Sequence, residues 1–375
     1  MPNMMDYLAW RGDIPLTISP FNHVDSLILA VLSYLSFPEE PALIRDLGID
    51  VPQVDPLHLS FVHDTRAMLS AAAMTERFAG ILVQHSEDEV DPERDMQFAA
   101  VTFDLPDGTH YIAFRGTDNT LVGWHEDFNM AFESPVPAQS EAVRYLEEAA
   151  ARSEGPLLIG GHSKGGNLAV YAAAHAAPAV QSRIRTVYSF DGPGLDDATM
   201  VSEGYASIAR RIRSFVPQQS VVGLLMAYHP DYTVVKSTGV GIMQHDSFTW
   251  QVLGTDFISV TELDVSSQVV DHTVHEWLSR VSPDKRRVFI STIFDVLEAS
   301  GASTTKELLR DIPTHLPAIL KALQKVDLET VRMIVNLWGQ FVSIGAASLF
   351  ELLRQRLTPD PVEHLQGEIK HGTEE

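Results

Sequence analysis

The stretch "LLIGGHSKGGNLAVYAAAHAA", residues 157–177, joins an apolar run to an alanine-rich one through a serine set among glycines. The apolar residues 156–159 read as a short buried strand, and 167–177 as a helix. Between them "GHSKG", Gly161 to Gly165, matches the nucleophile-elbow pattern G-x-S-x-G. A serine hydroxyl is a weak nucleophile. It must project from a strained turn towards a base, and only glycines leave room on either side. The turn also opens a helix, whose N-terminal amides favour a developing oxyanion. Five residues alone are a weak signal; a strand before and a helix after are the context the pattern demands. Ser163 is therefore the candidate nucleophile, and the competing reading is a small residue at a tight structural turn.

Strands and helices alternate outward from this turn. Residues 97–103 and 110–114 suit two strands, joined by "DLPDGT", whose Asp107-Gly108 fits a hairpin turn. A helix follows at 140–151, then strands at 184–190, 212–216, 232–236 and 248–252. The alternation predicts an α/β sheet with helices on its faces. Upstream, 25–37 reads as a helix capped by Asp25 or Ser26 and ended by Pro38 and Pro41, with further helix around 64–78. The acidic "EDEVDPERD", 87–95, reads as a solvated loop, because its carboxylates lack a regular ligand spacing. After about residue 262 strand signals stop and only helical ones remain. The division expected is a helical segment (1–95), an α/β core (96–260), a C-terminal helical region (261–360) and a frayed tail (361–375).

Composition narrows the function. The 375 residues, 45% hydrophobic and 21% charged, suffice for one large core or two modest ones and argue against wholesale disorder. A formal net charge of −23 disfavours nucleic acid or an anionic membrane surface as the main partner. Without cysteine, disulfides, thiolate metal sites and a cysteine nucleophile are excluded. The N-terminus has no basic region ahead of an apolar run, so a cytoplasmic location is expected. Residues 333–350, "MIVNLWGQFVSIGAASLF", carry no charge over a length near the membrane threshold of roughly 18 residues. Asn336, Gln340, Ser343 and Ser348 favour a buried core or interface helix over a span.

Acyl transfer also needs an oxyanion hole and a base. "FRGT" leaves a strand through Arg115-Gly116-Thr117, and a small hydroxyl residue there can present its amide to an oxyanion. The amide of Lys164, just after the serine, is the second candidate, with its charged side chain expected to face solvent. His272 and His275, one helical turn apart, have a spacing that suits a metal but no third ligand in view, so an ordinary helix surface is expected. No phosphate loop, zinc signature or dinucleotide fingerprint is present, and no cofactor is expected.

"AFRGT" followed by Trp124 and Asp127, then "GGHSKGGNLA", resembles the class 3 lipase family of α/β-hydrolases. The run from "QFAAVTF" through "FRGTDNTLVGWHEDFNMAF", "SFDGPG" and "QHDSFTW", with "DYLAWRGD" and "PFNHVDSLILAVLSYLSF" upstream, resembles the lipase-like Mbeg1-like family more closely. The resemblance covers roughly residues 5–255. It implies an α/β-hydrolase-type mixed, mostly parallel sheet flanked by helices, with the C-terminal helical region as an addition. It also implies Ser163 as nucleophile, Thr117 at the oxyanion position and Asp127 as its brace. A late histidine shortly before a tryptophan makes His245 the base, ahead of His272, His275 and His229. The class 3 acid position falls in "SFVPQQSVVGLL", which offers Gln219 or Ser220 and no carboxylate. Asp191, at the end of the strand "TVYSF", is the substitute, against the reading that it only braces the loop after it; Asp231 is the third choice. The expected activity is an esterase- or lipase-like serine hydrolase acting on a small-molecule or lipid acyl ester, and the alternative is a non-catalytic binding module. The helical tail would serve as a lid, a membrane-surface patch or a homo-oligomer interface.

Overall fold

The computed structural model describes residues 1–48, 62–117, 121–130, 133–226, 229–299 and 312–357. In chain order its strands are β1 (Ala42–Leu43), β2 (Leu82–Asp91), β3 (Met96–Asp104), β4 (His110–Phe114), β5 (Leu157–His162), β6 (Ile184–Phe190), β7 (Ile212–Pro217), β8 (Tyr232–Val235), β9 (Val252–Leu253), β10 (Asp256–Phe257) and β11 (Ser259–Val260). Nine form one sheet in the order β1-β2-β3-β4-β5-β6-β7-β8-β11, while β9 and β10 pair separately. The first four are antiparallel, β4 to β8 run parallel, and β11 returns antiparallel to β8. This is the expected α/β-hydrolase-type sheet, mixed at its edges and parallel through its centre.

Consecutive parallel strands joined by right-handed crossovers carry their connecting helices on one face. Helices Pro137–Ala151 and Lys164–His175 fill that face, packing on Phe98, Ile112, Phe114, Ile159 and Val187. The other face would be bare without the N-terminal segment. Helices Met4–Arg11, His23–Leu32 and Val62–Ala73 cover it, with Leu27, Val31 and Met68 packed in one cluster with Phe103, Tyr111, Ala113 and Phe215. Successive strand side chains alternate faces, so β4 must be apolar on both: Ile112 and Phe114 one way, Tyr111 and Ala113 the other. A buried ion pair locks the segment. Arg77 gives Nε and Nη2 to Asp25 at 2.6 and 2.5 Å, and its remaining donors reach the carbonyls of Ile14, Ser19 and Pro20.

Three local expectations are corrected. Asn22, not Asp25 or Ser26, caps the second helix, which ends at Leu32 rather than 37; Asp25 is drawn inward as the partner of Arg77. The acidic stretch 87–95 is not a loop: β2 runs through Asp91 and pairs with β3 along its length. Arg144 takes Glu87 at 2.5 Å and Arg115 takes Asp88 at 2.5 and 2.7 Å, so the ladder tolerates the charge. Residues 248–252 are not one strand: Phe248 and Thr249 end the 3-10 turn Ser247–Thr249, Trp250 makes an isolated bridge to Ser237, and Val252 opens the two-residue β9.

The helices expected after residue 262 are present as Val265–Arg280, Pro283–Glu298, Ile312–Leu323 and Leu328–Leu357. The uncharged segment 333–350 lies in the last of these. Among its described side chains Leu337 and Ile344 are buried, while Val335 and Val342 are 64% and 57% exposed. No described helix is long and apolar enough to cross a membrane. The tail reaches the core where Phe294 stacks on His125, ring centroids 4.7 Å apart. Residues 305–311, expected to be helical, and the tail 361–375 lie outside the described residues.

Candidate active site

β5 ends at His162 and the helix Lys164–His175 begins two residues later, so Ser163 alone makes the turn. Its backbone sits at φ 59° and ψ −134°, a region that costs a non-glycine residue about 1–3 kcal/mol and is held only where surroundings over-determine it. What holds it is the ladder: Ser163 N donates to the Phe190 carbonyl at 2.9 Å, one residue past the strand pairing. The flanking glycines are a matter of space. A Cβ on Gly161 would lie 2.2 Å from the Gly165 backbone, and one on Gly165 2.1 Å from the Phe114 carbonyl.

Asp191 is the first residue after β6, with φ 49°. Its Oδ2 lies 2.6 Å from His245 Nδ1, and the two side chains are 1% and 25% exposed. Its Oδ1 accepts from Ser220 Oγ at 2.5 Å and from the Gly223 amide at 3.1 Å. Ser220, one of the two residues offered at the expected acid position, is therefore a donor to Asp191. Gln219 bonds Asp264 instead, at 2.7 Å, and Asp231 is exposed. Of the other histidines, His229 pairs with Tyr205 Oη at 2.8 Å. His272 is 61% exposed and 3.6 Å from Glu276, and the side chain of His275 lies outside the described residues. No metal-binding group occurs among the described residues.

Lys164 is the clearest correction at the site. Its side chain does not face solvent: it is fully buried, and Nζ donates to Glu126 Oε2 at 2.9 Å, Gln97 Oε1 at 2.8 Å and the Gln97 carbonyl at 2.7 Å. Glu126 in turn accepts from the amides of Gln97 and Ala138 at 3.1 and 2.8 Å. The stem and charge of Lys164 thus tie the first turn of the elbow helix to β3 and to helix Leu121–Asn129. Its own amide opens that helix, among the first-turn N–H groups no intrahelical carbonyl accepts.

Thr117 Oγ1 donates to Asp127 Oδ2. Burial raises the Asp127 carboxyl to about 6, opposed by the Lys164 ammonium, whose Nζ is 3.9 Å from Oδ1, and by the Thr117 hydroxyl. The side chain of Trp124 lies outside the described residues.

His162 packs against His245, the two ring centroids 4.7 Å apart. Its Nε2 is 2.8 Å from the His245 carbonyl and its Nδ1 3.2 Å from Tyr34 Oη. Burial, with His245 alongside, lowers the imidazole to about 3, so it is neutral. The indole of Trp250 donates to the Gln244 carbonyl at 2.8 Å, pinning the same loop. Sequence reasoning missed Tyr34, Gln97 and Glu126 as neighbours of the site. A buried tyrosine just past an apolar helix and a glutamate in "WHED" carry no local signal of it.

A family model described as Mbeg1-like matches residues 72–295. The chain belongs to the Mbeg1-like family. Ser163, Lys164, Asp191 and His245 of this Mbeg1-like protein lie inside the matched span, whereas Tyr34 and the helices 312–357 lie outside it. Curated proteins give no match. Among solved structures, a mutant form of MDLA from Penicillium cyclopium is similar at 14% identity and a TM-score of 0.36, over 62% of this chain and 83% of that one. The M37 lipase is similar at 14% identity and 0.34, over 53% and 67%. A triacylglycerol lipase from Penicillium expansum is similar at 11% identity and 0.31, over 46% and 74%. At this identity and TM-score the likeness assigns no residue a role.

Proposed function

We propose that this Mbeg1-like protein is a serine hydrolase that cleaves an acyl ester through Ser163, His245 and Asp191. The observation that carries the reading is the 2.6 Å contact of His245 Nδ1 with buried Asp191, beside a serine held at positive φ. Asp191 accepts a hydrogen bond from Nδ1–H, which keeps that proton on Nδ1 and leaves Nε2 as the basic nitrogen. Nε2 takes the Ser163 proton as Oγ attacks the ester carbonyl, and Asp191 stabilises the imidazolium that forms. The amides of Thr117 and Lys164 receive the oxyanion. The imidazolium then gives its proton to the leaving alcohol, and water attacks the acyl-enzyme by the reverse sequence. The substrate is a small-molecule or lipid acyl ester.

A fluorophosphonate probe tests this directly. Wild type is expected to label, and labelling to vanish in Ser163→Ala and fall strongly in His245→Ala, in parallel with hydrolysis of p-nitrophenyl butyrate. A folded wild type that neither labels nor hydrolyses short or long acyl esters would overturn the reading in favour of a non-catalytic binding module.

A further inference from the structure

The hydrogen bonds of His162 fix its tautomer. A backbone carbonyl only accepts, so Nε2, 2.8 Å from the His245 carbonyl, carries the proton. Nδ1 is then the acceptor, and the Tyr34 hydroxyl 3.2 Å away is its donor. Tyr34 Oη also lies 3.4 Å from the His162 carbonyl. The fit there is close: a Cβ on Gly116 would meet Tyr34 Oη at 2.1 Å and the His162 carbonyl at 2.6 Å. Tyr34 and His162 are 5% and 4% exposed, so water does not readily replace either partner. His245 is thereby gripped twice, its imidazole by Asp191 and its main chain by His162.

We infer that Tyr34 and His162 form a positioning pair for the base, in which the His245 carbonyl sets the Nε2–H tautomer of His162, the tyrosine hydroxyl donates to the remaining Nδ1 and holds the ring in place, and the Nε2–H anchors the His245 backbone beside the nucleophile. Two consequences follow from the geometry. If the Tyr34 hydroxyl is lost, Nδ1 loses that donor, and the His162 ring keeps its Nε2–H bond to the His245 carbonyl without the second hold that orients it. The pair must also stay neutral, because a charge on His162, 4.7 Å from the His245 ring, would oppose formation of the catalytic imidazolium. Tyr34 lies outside the span 72–295 matched by the family model. The N-terminal segment thus supplies part of the site as well as the second face of the sheet.

The inference rests on the serine-hydrolase reading, and its test keeps the two separable. Steady-state hydrolysis of p-nitrophenyl butyrate is measured across pH for wild type, Tyr34→Phe, His162→Gln and His162→Phe, with thermal midpoints for each. Tyr34→Phe is expected to lower kcat about 10-fold with KM unchanged. His162→Gln, whose amide nitrogen can still donate to the His245 carbonyl, retains more kcat than His162→Phe, which cannot. Tyr34→Phe and His162→Phe with wild-type kcat, whatever their thermal midpoints, overturn the positioning role while leaving the hydrolase intact. A variant that fails to fold leaves the other two comparisons in force. Wild type without activity overturns the hydrolase reading itself.

Discussion

Ser163 and Asp191 occupy equivalent places on neighbouring strands. Each is the first residue beyond its strand, each is a non-glycine residue at positive φ, 59° and 49°. Each donates its amide to the next strand's last-turn carbonyl, Phe190 at 2.9 Å and Phe215 at 2.7 Å. The sheet thus places a residue at positive φ twice at its carboxyl edge, once for the proposed nucleophile and once for the proposed acid. Ligand sites of α/β sheets gather at this edge.

Asp191→Asn is expected to reduce kcat by about 10²–10⁴-fold, because an amide cannot hold the Nδ1–H tautomer of His245 as a carboxylate does. Ser220→Ala, which removes one of the donors to Asp191, is expected to cost less, about 10-fold or under. Equal activity in Asp191→Asn and wild type, measured on the same ester, would remove Asp191 from the mechanism.

Ser163→Gly is expected to be inactive and yet more stable than wild type, by about 1 kcal/mol, since glycine relaxes at φ 59° and ψ −134°. Chemical denaturation of the two proteins gives the comparison. A less stable glycine variant would mean that the turn is not strained.

Lys164 and Glu126 are both fully buried side chains. Breaking such a pair leaves an uncompensated charge, and Lys164→Met or Glu126→Gln alone is expected to destabilise by about 3–5 kcal/mol. The double variant is expected to be less damaged than the sum of the singles, by at least about 1 kcal/mol. Urea unfolding of the three variants closes the cycle, and strict additivity would refute the coupling.

Stability should also depend on pH through two groups of opposite sign. His162, lowered to about 3, favours the fold above its ordinary value near 6.5; that contribution is lost as pH falls towards 3. Asp127, raised to about 6, favours the fold while protonated, and its contribution is lost as pH rises from about 3.8 through 6. Relative to wild type, Asp127→Asn is therefore expected to gain stability at pH 8 over pH 4. His162→Gln is expected to do the opposite, its relative stability improving in acid. Denaturation midpoints at the two pH values measure both differences.

Ser163 was legible in the sequence because everything that makes the elbow is local. The glycines at 161 and 165 clear the space, and strand and helix periodicity flank them within about ten residues. The parallel core was legible for the same reason: β4 to β7 are short, predominantly apolar runs separated by helical patterns. The acidic stretch 87–95 was not legible as β2, because its charges are accepted there through Arg115 and Arg144, up to 57 residues away. Tertiary structure alone decided the rest. Whether the lysine beside Ser163 meets water or Glu126 depends on where helix Leu121–Asn129 packs. Whether Asp191 or another carboxylate meets His245 depends on a loop 54 residues on. Local sequence sets the turn that presents Ser163, since strand, glycines and helix all lie within about ten residues of it. Which groups surround them is set by long-range packing, and no spacing along the chain encodes it.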